Sequence, residues 1–374
     1  MERSKKKCKF IVSLDLFFFS KILLVFVLIG CNSNPSELDS FNLNKNEDVG
    51  SSVYGQTQGT TYVVMCNDRI EIEKKEIEDL LNQFDQALST YIDNSIVSRF
   101  NQSPSGAFYY IDSLNYFNDC LKLSRIVYNK TNGAFDPSVY PLLEIWGFFK
   151  NFSDIPDSIA VENVLKNVSF EDKYHFMFMP SNTSGELSKI TKRTSNFKLV
   201  FNAIAQGQAV DVICNYLERK GARNYFVEIG GEVKVKGVND QGKIWTIGID
   251  KPIENSNKQN RELINIIELE NKSVATSGNY RQFYEKNGVK YSHTLNPKTG
   301  YPVNHHLLSA TVVTNSCALA DAYATAFMVM GPKKSIDFIE DNPELDLDIF
   351  LIFNDNQGVM KTYGTPGFNQ IIKP

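Results

Sequence analysis

The chain has few histidines and cysteines, and the cysteines in its body do not form a metal-binding pattern. It contains four histidines and six cysteines among 374 residues. The cysteines beyond the N-terminal segment are scattered, with no C-x-x-C pair and no histidine nearby: Cys66, Cys120, Cys214 and Cys317. This spacing argues against a zinc site and shows no disulfide framework. We expect these four residues to be buried free thiols.

An excess of positive charge is also missing. The chain has 39 Lys and Arg against 43 Asp and Glu, and residues 1–30 hold six of the basic and two of the acidic residues. Without that segment, 33 basic residues stand against 41 acidic ones, a net charge of −8 over 344 residues. Binding to a nucleic-acid backbone needs the opposite balance. We therefore expect no nucleic-acid partner, and a length that suits one large or two modest domains.

The first thirty residues have the charge and hydropathy pattern of a bacterial export signal. Basic residues recur up to Lys21, and the apolar run 22–29 then leads into Gly30 and Cys31. That run is too short to span a bilayer, which takes about 20 residues. The stretch 28–31, LIGC, resembles the box at which lipoproteins are cleaved and lipidated. We expect a signal peptide at 1–30, lipidation of Cys31, and an exported protein anchored to a membrane on its periplasmic or outer face; an uncleaved anchor is the alternative.

The rest of the chain divides into a short tether and one domain. Residues 32–52 are rich in Asn, Ser and Asp, so we assign 31–53 to the lipidated cysteine and a flexible tether, and 54–370 to the domain. Apolar residues at helical spacing predict helices over 73–91 and 112–130, whereas 147–198 is polar and predicts a lobe of low regularity. Strands are predicted at 244–249, 263–269, 347–353 and 359–363. This mixture favours an α+β fold.

One predicted helix, 318–330, is apolar except for an acid, a threonine and a tyrosine hydroxyl. Asp321 and Thr325 are four residues apart and share one face of it. A carboxylate buried there without a partner costs several kcal/mol, so it must meet a cation, a donor or water. The two oxygens suit a hard ion such as Mg²⁺. The alternative is an exposed acid on a polar stripe, with Thr325 bonded back to the carbonyl of Asp321.

Three further segments carry glycine, proline or aromatic residues at turns. FNAIAQGQ (201–208) predicts the end of a strand at 200–201 and a small-residue turn into a helix, where a phosphate could bind, although many plain turns look alike. TNGAFDPSVYPLLEIWGF (131–148) could line a flat aromatic pocket or pack in the core. VEIGGEVKVKG (227–237) predicts two strands joined at a Gly-Gly bend, where another chain segment or a ligand comes close. YSHTLNPKTGYPV (291–303) places a histidine before two rigid turns.

Taken in order, these segments resemble one family. The resemblance is to the FAD:protein FMN transferases, exported flavin-trafficking lipoproteins of bacteria, and it covers about Tyr54 to Tyr363. Eight short motifs carry it: GT at 59–60, STY at 89–91, GAFDP at 133–137, AIAQG at 203–207, IGGE at 229–232, TSGNYR at 276–281, YSHTLNPKTGYPV at 291–303 and ADAYATA at 320–326. Each is weak alone, but eight in order are specific.

The resemblance implies a single T-fold-like domain of mixed or antiparallel sheet with covering helices. It implies Mg²⁺-dependent transfer of FMN from FAD to a Thr or Ser of a membrane-bound redox subunit, with release of AMP. His293 would be the catalytic base. The metal would be held by Asp321, Thr325 and the carbonyl of Ala203, and FAD would contact Tyr91, Ala134, Phe135, Asp136, Gln206 and Leu295.

Some positions depart from the family pattern. The family commonly has an acid at Val200, a base at Gln206, a tyrosine at Gln208 and an apolar residue at Gln58; Asn296 replaces the usual aspartate. Lost charges near a nucleotide could weaken FAD binding. Two alternatives therefore stay open beside the transferase: hydrolysis of the FAD pyrophosphate, and a flavin-binding lipoprotein that does not catalyse.

Overall fold

The computed structural model describes residues 50–149, 155–171, 175–180, 183–253, 261–279, 283–286, 289–292 and 294–374. No helix in these ranges is both long enough and apolar enough to cross a bilayer. Cys31 and the predicted signal peptide lie outside the described residues, as does His293.

Strands and helices alternate irregularly along the described chain. The strands are β1 Ser51–Thr57, β2 Thr60–Cys66, β3 Gly106–Ile111, β4 Phe176–Met179, β5 Leu187–Lys192, β6 Tyr225–Ile229, β7 Glu232–Lys236, β8 Trp245–Asp250, β9 Leu263–Leu269, β10 Ser273–Gly278, β11 Phe283–Lys286, β12 Val289–Ser292, β13 Leu307–Thr314, β14 Asp348–Asn354 and β15 Met360–Gly364. The helices are α1 Lys74–Leu88, α2 Ile96–Gln102, α3 Tyr116–Lys130, α4 Tyr140–Ile145, α5 Ser158–Leu165, α6 Ala205–Arg219, α7 Cys317–Met330, α8 Pro332–Asp341 and α9 Pro366–Ile371.

An eight-stranded antiparallel sheet is the centre of the described fold. Its order is β1-β2-β6-β7-β10-β13-β14-β15. Smaller antiparallel sheets are formed by β3-β5-β4, by β8-β9 and by β11-β12. Two hairpins of the large sheet have tight two-residue turns that need positive φ: Gln58 and Gly59 join β1 to β2, and Gly230 and Gly231 join β6 to β7.

The large sheet has an apolar core on each face, because side chains alternate between faces along a strand. On one face α6 and α7 pack against β6, β7, β10 and β13, with α1 and α3 behind them. On the other face lie the β8-β9 hairpin and α9, with Trp245 and Phe368 at their centre. A third, smaller core joins α4 and α5 to the loop around Leu295.

Helix α7 is almost wholly buried, as its apolar sequence requires. The Ser316 side chain accepts a hydrogen bond from the N–H of Leu319 at its start. The helix ends at Gly331, whose φ is +79°, followed by Pro332. These two signals fix the ends of the helix, and so fix where Asp321 and Thr325 lie between α6 and β10.

Most predicted elements are present with ends shifted by a few residues, and three expectations are wrong. The stretch 51–53, predicted as part of the tether, belongs to the edge strand β1 and pairs with 64–66. An edge strand is held by backbone hydrogen bonds to one neighbour, so it can form with few apolar residues. The stretch 200–201 is not a strand; the N–H of Val200 bonds to the carbonyl of Pro137 instead of a sheet partner. The lobe 147–198 contains α5, β4 and β5. The sequence of β5 lacks the apolar alternation of a strand, because two of its buried residues are the polar Ser188 and Lys192.

Candidate active site

A cavity of about 150 Å³ opens beside the eight-stranded sheet, where helix α7 meets three loops. Segments distant in the sequence line it, and most of the lining is apolar. The lining residues are Ala134, Phe135, Asp136, Pro137, Val139, Leu143, Val200, Asn202, Ala203, Ser277, Thr294, Leu295, Pro297, Thr325, Met328 and Val329. A mostly apolar cavity with a few polar groups is the usual form of a small-molecule site.

The loop 131–138 forms the first wall. It turns through Asn132 and Gly133, both at positive φ. One carboxylate oxygen of Asp136 accepts hydrogen bonds from the N–H and the hydroxyl of Ser138, at 2.7 and 2.6 Å. The other accepts one from the N–H of Phe170 at 3.3 Å. Burial raises the pKa of Asp136 to about 6, although these hydrogen bonds oppose the shift. The carboxylate therefore shapes the loop that presents Ala134 and Phe135 to the cavity.

The loop 294–303 forms the second wall. The carbonyl of Asn296 accepts a hydrogen bond from the N–H of Gly300 at 2.8 Å, and the N–H of Asn296 donates to the carbonyl of Tyr301 at 2.8 Å. Gly300 has φ +76°, and a Cβ there would meet Val161 at 2.7 Å, so this position requires glycine. The indole N–H of Trp146 donates to the carbonyl of Gly300 at 2.8 Å. This bond joins the end of α4 to the second loop, and Leu295 is buried in the cavity wall.

The third part of the site lies between the start of α6 and the middle of α7. One oxygen of Asp321 accepts a hydrogen bond from the N–H of Gly207 at 3.2 Å, and the hydroxyls of Thr325 and Ser277 are 3.2 Å apart. Asp321 is only 6% exposed, so the alternative of an exposed polar stripe is wrong. Burial raises the pKa of Asp321 to about 7, despite the Gly207 N–H. Ala203 lies in the turn before α6 and lines the same cavity.

These residues fit a hard divalent cation. A carboxylate, a hydroxyl and a main-chain carbonyl are oxygen donors of the kind that Mg²⁺ prefers. Asp321 has no Lys or Arg ion-pair partner within the described ranges, which leaves its charge to be met by something else. The described residues contain no group of three or more His, Cys, Asp and Glu arranged to hold a metal. A cation here would thus need oxygen donors other than a cluster of three acids, among them the hydroxyl, the carbonyl and oxygens of a ligand.

The structure brings most of the predicted site residues together. Ala134, Phe135, Asp136, Leu295, Ala203 and Thr325 all line the cavity, and Asp321 lies one helical turn before Thr325. Two predicted flavin contacts do not line it. Tyr91 is 74% exposed and belongs to a surface group of rings, 6.4 Å from Phe149, which stacks on Tyr140 at 4.7 Å. Gln206 instead lies over the β6–β7 turn. Its amide nitrogen is so close to Gly230 of that turn that a Cβ added to Gly230 would lie 2.8 Å from it.

Three positions that depart from the family pattern are accommodated by packing or by a hydrogen bond. Val200 is buried in the cavity wall. The Gln208 amide donates to the carbonyl of Tyr116 at 3.0 Å, and the Gln58 amide donates to the Asp85 carboxylate at 3.1 Å. All four described cysteines are buried free thiols, as predicted.

The sequence reasoning missed Glu232, the first residue of β7. It is 6% exposed, and burial together with the nearby Asp321 raises its pKa well above the usual range. The pattern of its segment predicts two strands and a bend that a ligand or another segment approaches, but it assigns no role to the Glu232 side chain. The strand itself alternates charged and apolar residues, so the sequence alone does not show that this acid is buried.

Comparison with known proteins gives the family. The sequence model of the ApbE family matches residues 58–349. The FAD:protein FMN transferase of Vibrio cholerae serotype O1 is 33% identical over 325 residues, which cover 85% of this chain and 91% of that protein. The enzyme of the same name from Haemophilus influenzae is 33% identical over 320 residues, covering 82% and 87%.

Solved structures agree. The flavin transferase ApbE from Vibrio cholerae matches with a TM-score of 0.73 at 32% identity, over 86% of this chain and 99% of that one. The apo form of the Pseudomonas stutzeri flavinyl transferase ApbE also gives 0.73, at 31% identity, over 87% and 97%. The fold is that of the flavin transferases, and the chain belongs to the ApbE family. The predicted family, its transferase class and the α+β fold with antiparallel sheets are confirmed.

Proposed function

We propose that this protein transfers the FMN half of FAD to a threonine or serine hydroxyl of a membrane-bound redox protein, with Mg²⁺ as cofactor and AMP as the second product. The observation that carries the proposal is the convergence of three loops and α7 on one cavity. That cavity has apolar walls from Phe135, Leu295 and Val200, with oxygen donors at Ala203 and Thr325. An enzyme that splits a flavin dinucleotide needs both features side by side.

The walls would bind the flavin and exclude water from the reacting phosphorus. Phe135 and Leu295 offer apolar surface for the ring system. Tyr140 follows Val139 of the cavity lining directly in the chain, and its ring stacks on Phe149, which contacts the exposed Tyr91; we propose that this group of rings offers the flavin a further stacking surface.

The polar end would hold the pyrophosphate. Asp321, Thr325 and the carbonyl of Ala203 would bind Mg²⁺, which when bound neutralises the charge that grows on the phosphate oxygens. The acceptor hydroxyl oxygen forms a bond to the FMN-side phosphorus, the bond from that phosphorus to the bridging oxygen breaks, and AMP leaves with that oxygen. His293, assigned from its sequence motif, would take the hydroxyl proton. Its neighbour Thr294 lines the cavity.

Export and anchoring complete the proposal. A lipid on Cys31 and the tether up to residue 50 would hold the enzyme at the surface of a bacterial membrane, beside its acceptor. The support is the N-terminal sequence pattern.

The test is a flavin-transfer assay with a co-expressed or purified membrane redox subunit as acceptor. FAD and Mg²⁺ are added, the acceptor is weighed by intact-protein mass spectrometry, and AMP is quantified. We expect one AMP for each FMN attached, and no attachment when the acceptor threonine is changed to alanine. FMN and AMP released without acceptor would show a hydrolase, and FAD bound without AMP would show a carrier; either result would overturn the proposal.

A further inference from the structure

A second buried carboxylate lies beside the proposed metal ligands and has no assigned role. Glu232 is 6% exposed, and its Oε2 is buried without a hydrogen-bond partner in the described structure. A buried polar atom in this state costs free energy, so native proteins keep one only where something else satisfies it.

The strand register shows which way Glu232 points. In the antiparallel β6–β7 pair it lies opposite Ile229, whose side chain belongs to the core under α6 and α7. Residues opposite each other in such a pair point to the same face. Glu228 instead lies opposite Val233, which belongs to the core on the other face. Glu232 therefore lies on the face covered by α6 and α7, the second of which carries Asp321, and Glu228 lies on the opposite face.

Among the residues that the structure describes, no basic side chain neutralises the two acids. Lys234, the next residue on the same face of β7, has its ammonium group 2.7 Å from Asp211 of α6. Within the described part of the chain neither Asp321 nor Glu232 forms an ion pair with a Lys, Arg or His. The N–H of Gly207 is the hydrogen-bond donor to Asp321. Two buried carboxyl groups on the same side of the sheet, with no basic partner among the described residues, favour the binding of a cation or the sharing of a proton.

We propose that Glu232 is a second carboxylate of the divalent-cation site, facing the cation together with Asp321. This inference rests on the proposed function and deepens it. Asp321 alone would offer one negative charge, with the hydroxyl of Thr325 and the carbonyl of Ala203 as neutral donors. Affinity for hard cations rises with the number of charged ligands, so a second carboxylate would allow the cation to bind in the absence of FAD.

The test measures cation binding and not catalysis. Mn²⁺, which takes the same oxygen ligands as Mg²⁺, is titrated into the purified protein, with and without FAD, and free Mn²⁺ is followed by its EPR signal. We expect Glu232→Gln to weaken Mn²⁺ binding about ten- to hundredfold, as loss of a group that supports a metal usually does. Glu268→Gln removes the same charge from an exposed position on β9 and serves as the matched control. Asp321→Asn serves as the positive control.

The inference is overturned if Glu232→Gln binds Mn²⁺ as well as Glu268→Gln does, while Asp321→Asn binds poorly; Glu232 would then be a protonated partner of Asp321. It is also overturned if the unmodified chain binds no Mn²⁺ in either condition. If Glu232→Gln does not fold, Glu232→Asp is used instead, because it keeps the charge but shortens the side chain. A Mn²⁺ affinity of Glu232→Asp between that of the unmodified chain and that of Asp321→Asn supports the inference. Normal Mn²⁺ binding with no flavin transfer would refute the proposed function alone.

Discussion

Single buried hydrogen bonds hold the walls of the cavity in place. The indole of Trp146 bonds to Gly300 in one loop, and Asp136 bonds to Ser138 and Phe170 in the other. These hydrogen bonds influence FAD binding without any contact to FAD. They fix the backbone of the two loops that present Leu295 and Phe135 to the cavity.

Trp146→Phe is expected to weaken both stability and FAD binding. The change leaves the buried carbonyl of Gly300 without its donor, which costs about 1–3 kcal/mol. Urea unfolding measures that loss, and the KM for FAD should rise because the loop carrying Leu295 loosens. Trp245→Phe is the control: its indole bonds to the carbonyl of Lys236 at 3.2 Å, in the core on the far face of the sheet. An equal rise in KM in both variants would contradict this account.

Asp136 is expected to make stability fall as the pH rises through the acid range. Burial raises its pKa in the folded chain to about 6 from the ordinary value of 3.8. Between these pH values the unfolded carboxyl loses its proton while the folded one keeps it, so unfolding is favoured. The free energy of unfolding of the unmodified chain, relative to Asp136→Asn, should decline by up to about 3 kcal/mol from pH 4 to pH 6 and then level off. Urea titrations at several pH values measure this, and a difference that rises over the range would refute it.

At the scale of the element, the close contact between α6 and α7 builds the polar end of the site. A Cβ on Gly207 would overlap the carbonyl oxygen of Cys317 and lie 2.9 Å from the Cα of Ala318. Glycine is therefore what allows the start of α6 to approach α7 and lets the Gly207 N–H reach Asp321. The position of this carboxylate depends on how closely the two helices pack.

Gly207→Ala is expected to force the two helices apart. Overpacking of this kind costs about 1–3 kcal/mol or more, and Mn²⁺ affinity should fall because Asp321 loses its donor and moves from Ala203. Denaturant unfolding and Mn²⁺ titration check both effects. Asn215→Ala, on the exposed side of α6, is the control and should leave both unchanged. Full cation affinity in Gly207→Ala would show that the helix contact does not set the site.

The elements with strong local signals were predictable from the sequence, and the assembly was not. The ends of α7 follow from Ser316 and Gly331, and strands β6 and β7 follow from the Gly-Gly bend. The strand predicted at 200–201 fails because Val200 bonds to Pro137, more than sixty residues away, which periodicity cannot reveal. Glu232 was missed for the same reason, since only the pairing of β6 with β7 shows which face it occupies.

At the scale of the whole molecule, the site exists only when the domain is folded. Its walls come from residues near 135, 200, 277, 295 and 325, held together by the central sheet and α7. A ligand that binds this assembly and not the unfolded chain must stabilise the entire domain.

FAD and Mg²⁺ together are therefore expected to raise the unfolding free energy, by about 2.7 kcal/mol at a free ligand concentration of about 100 times Kd. Calorimetry with FAD, with and without Mg²⁺, measures the shift. Removal of Mg²⁺ by EDTA should abolish part of it in the unmodified chain and none of it in Asp321→Asn. An identical response in both chains would show that the cation acts elsewhere.

Anchoring is a separate expectation at the same scale. Cys31→Ser removes the thiol that lipidation needs, so the protein should pass from the membrane fraction to the soluble exported fraction, as judged by cell fractionation and immunoblotting. Cys66→Ser, which changes a buried thiol of the domain, is the control and should stay with the membrane. Retention of Cys31→Ser at the membrane would favour an uncleaved N-terminal helix.

The most direct test is a crystal structure of the protein with FAD and Mn²⁺, with the metal located by its anomalous scattering. We predict one anomalous peak between Asp321, Thr325 and the Ala203 carbonyl, with the FAD pyrophosphate beside it and the flavin ring against Phe135 and Leu295. A peak remote from Asp321, or FAD bound outside this cavity, would contradict the account.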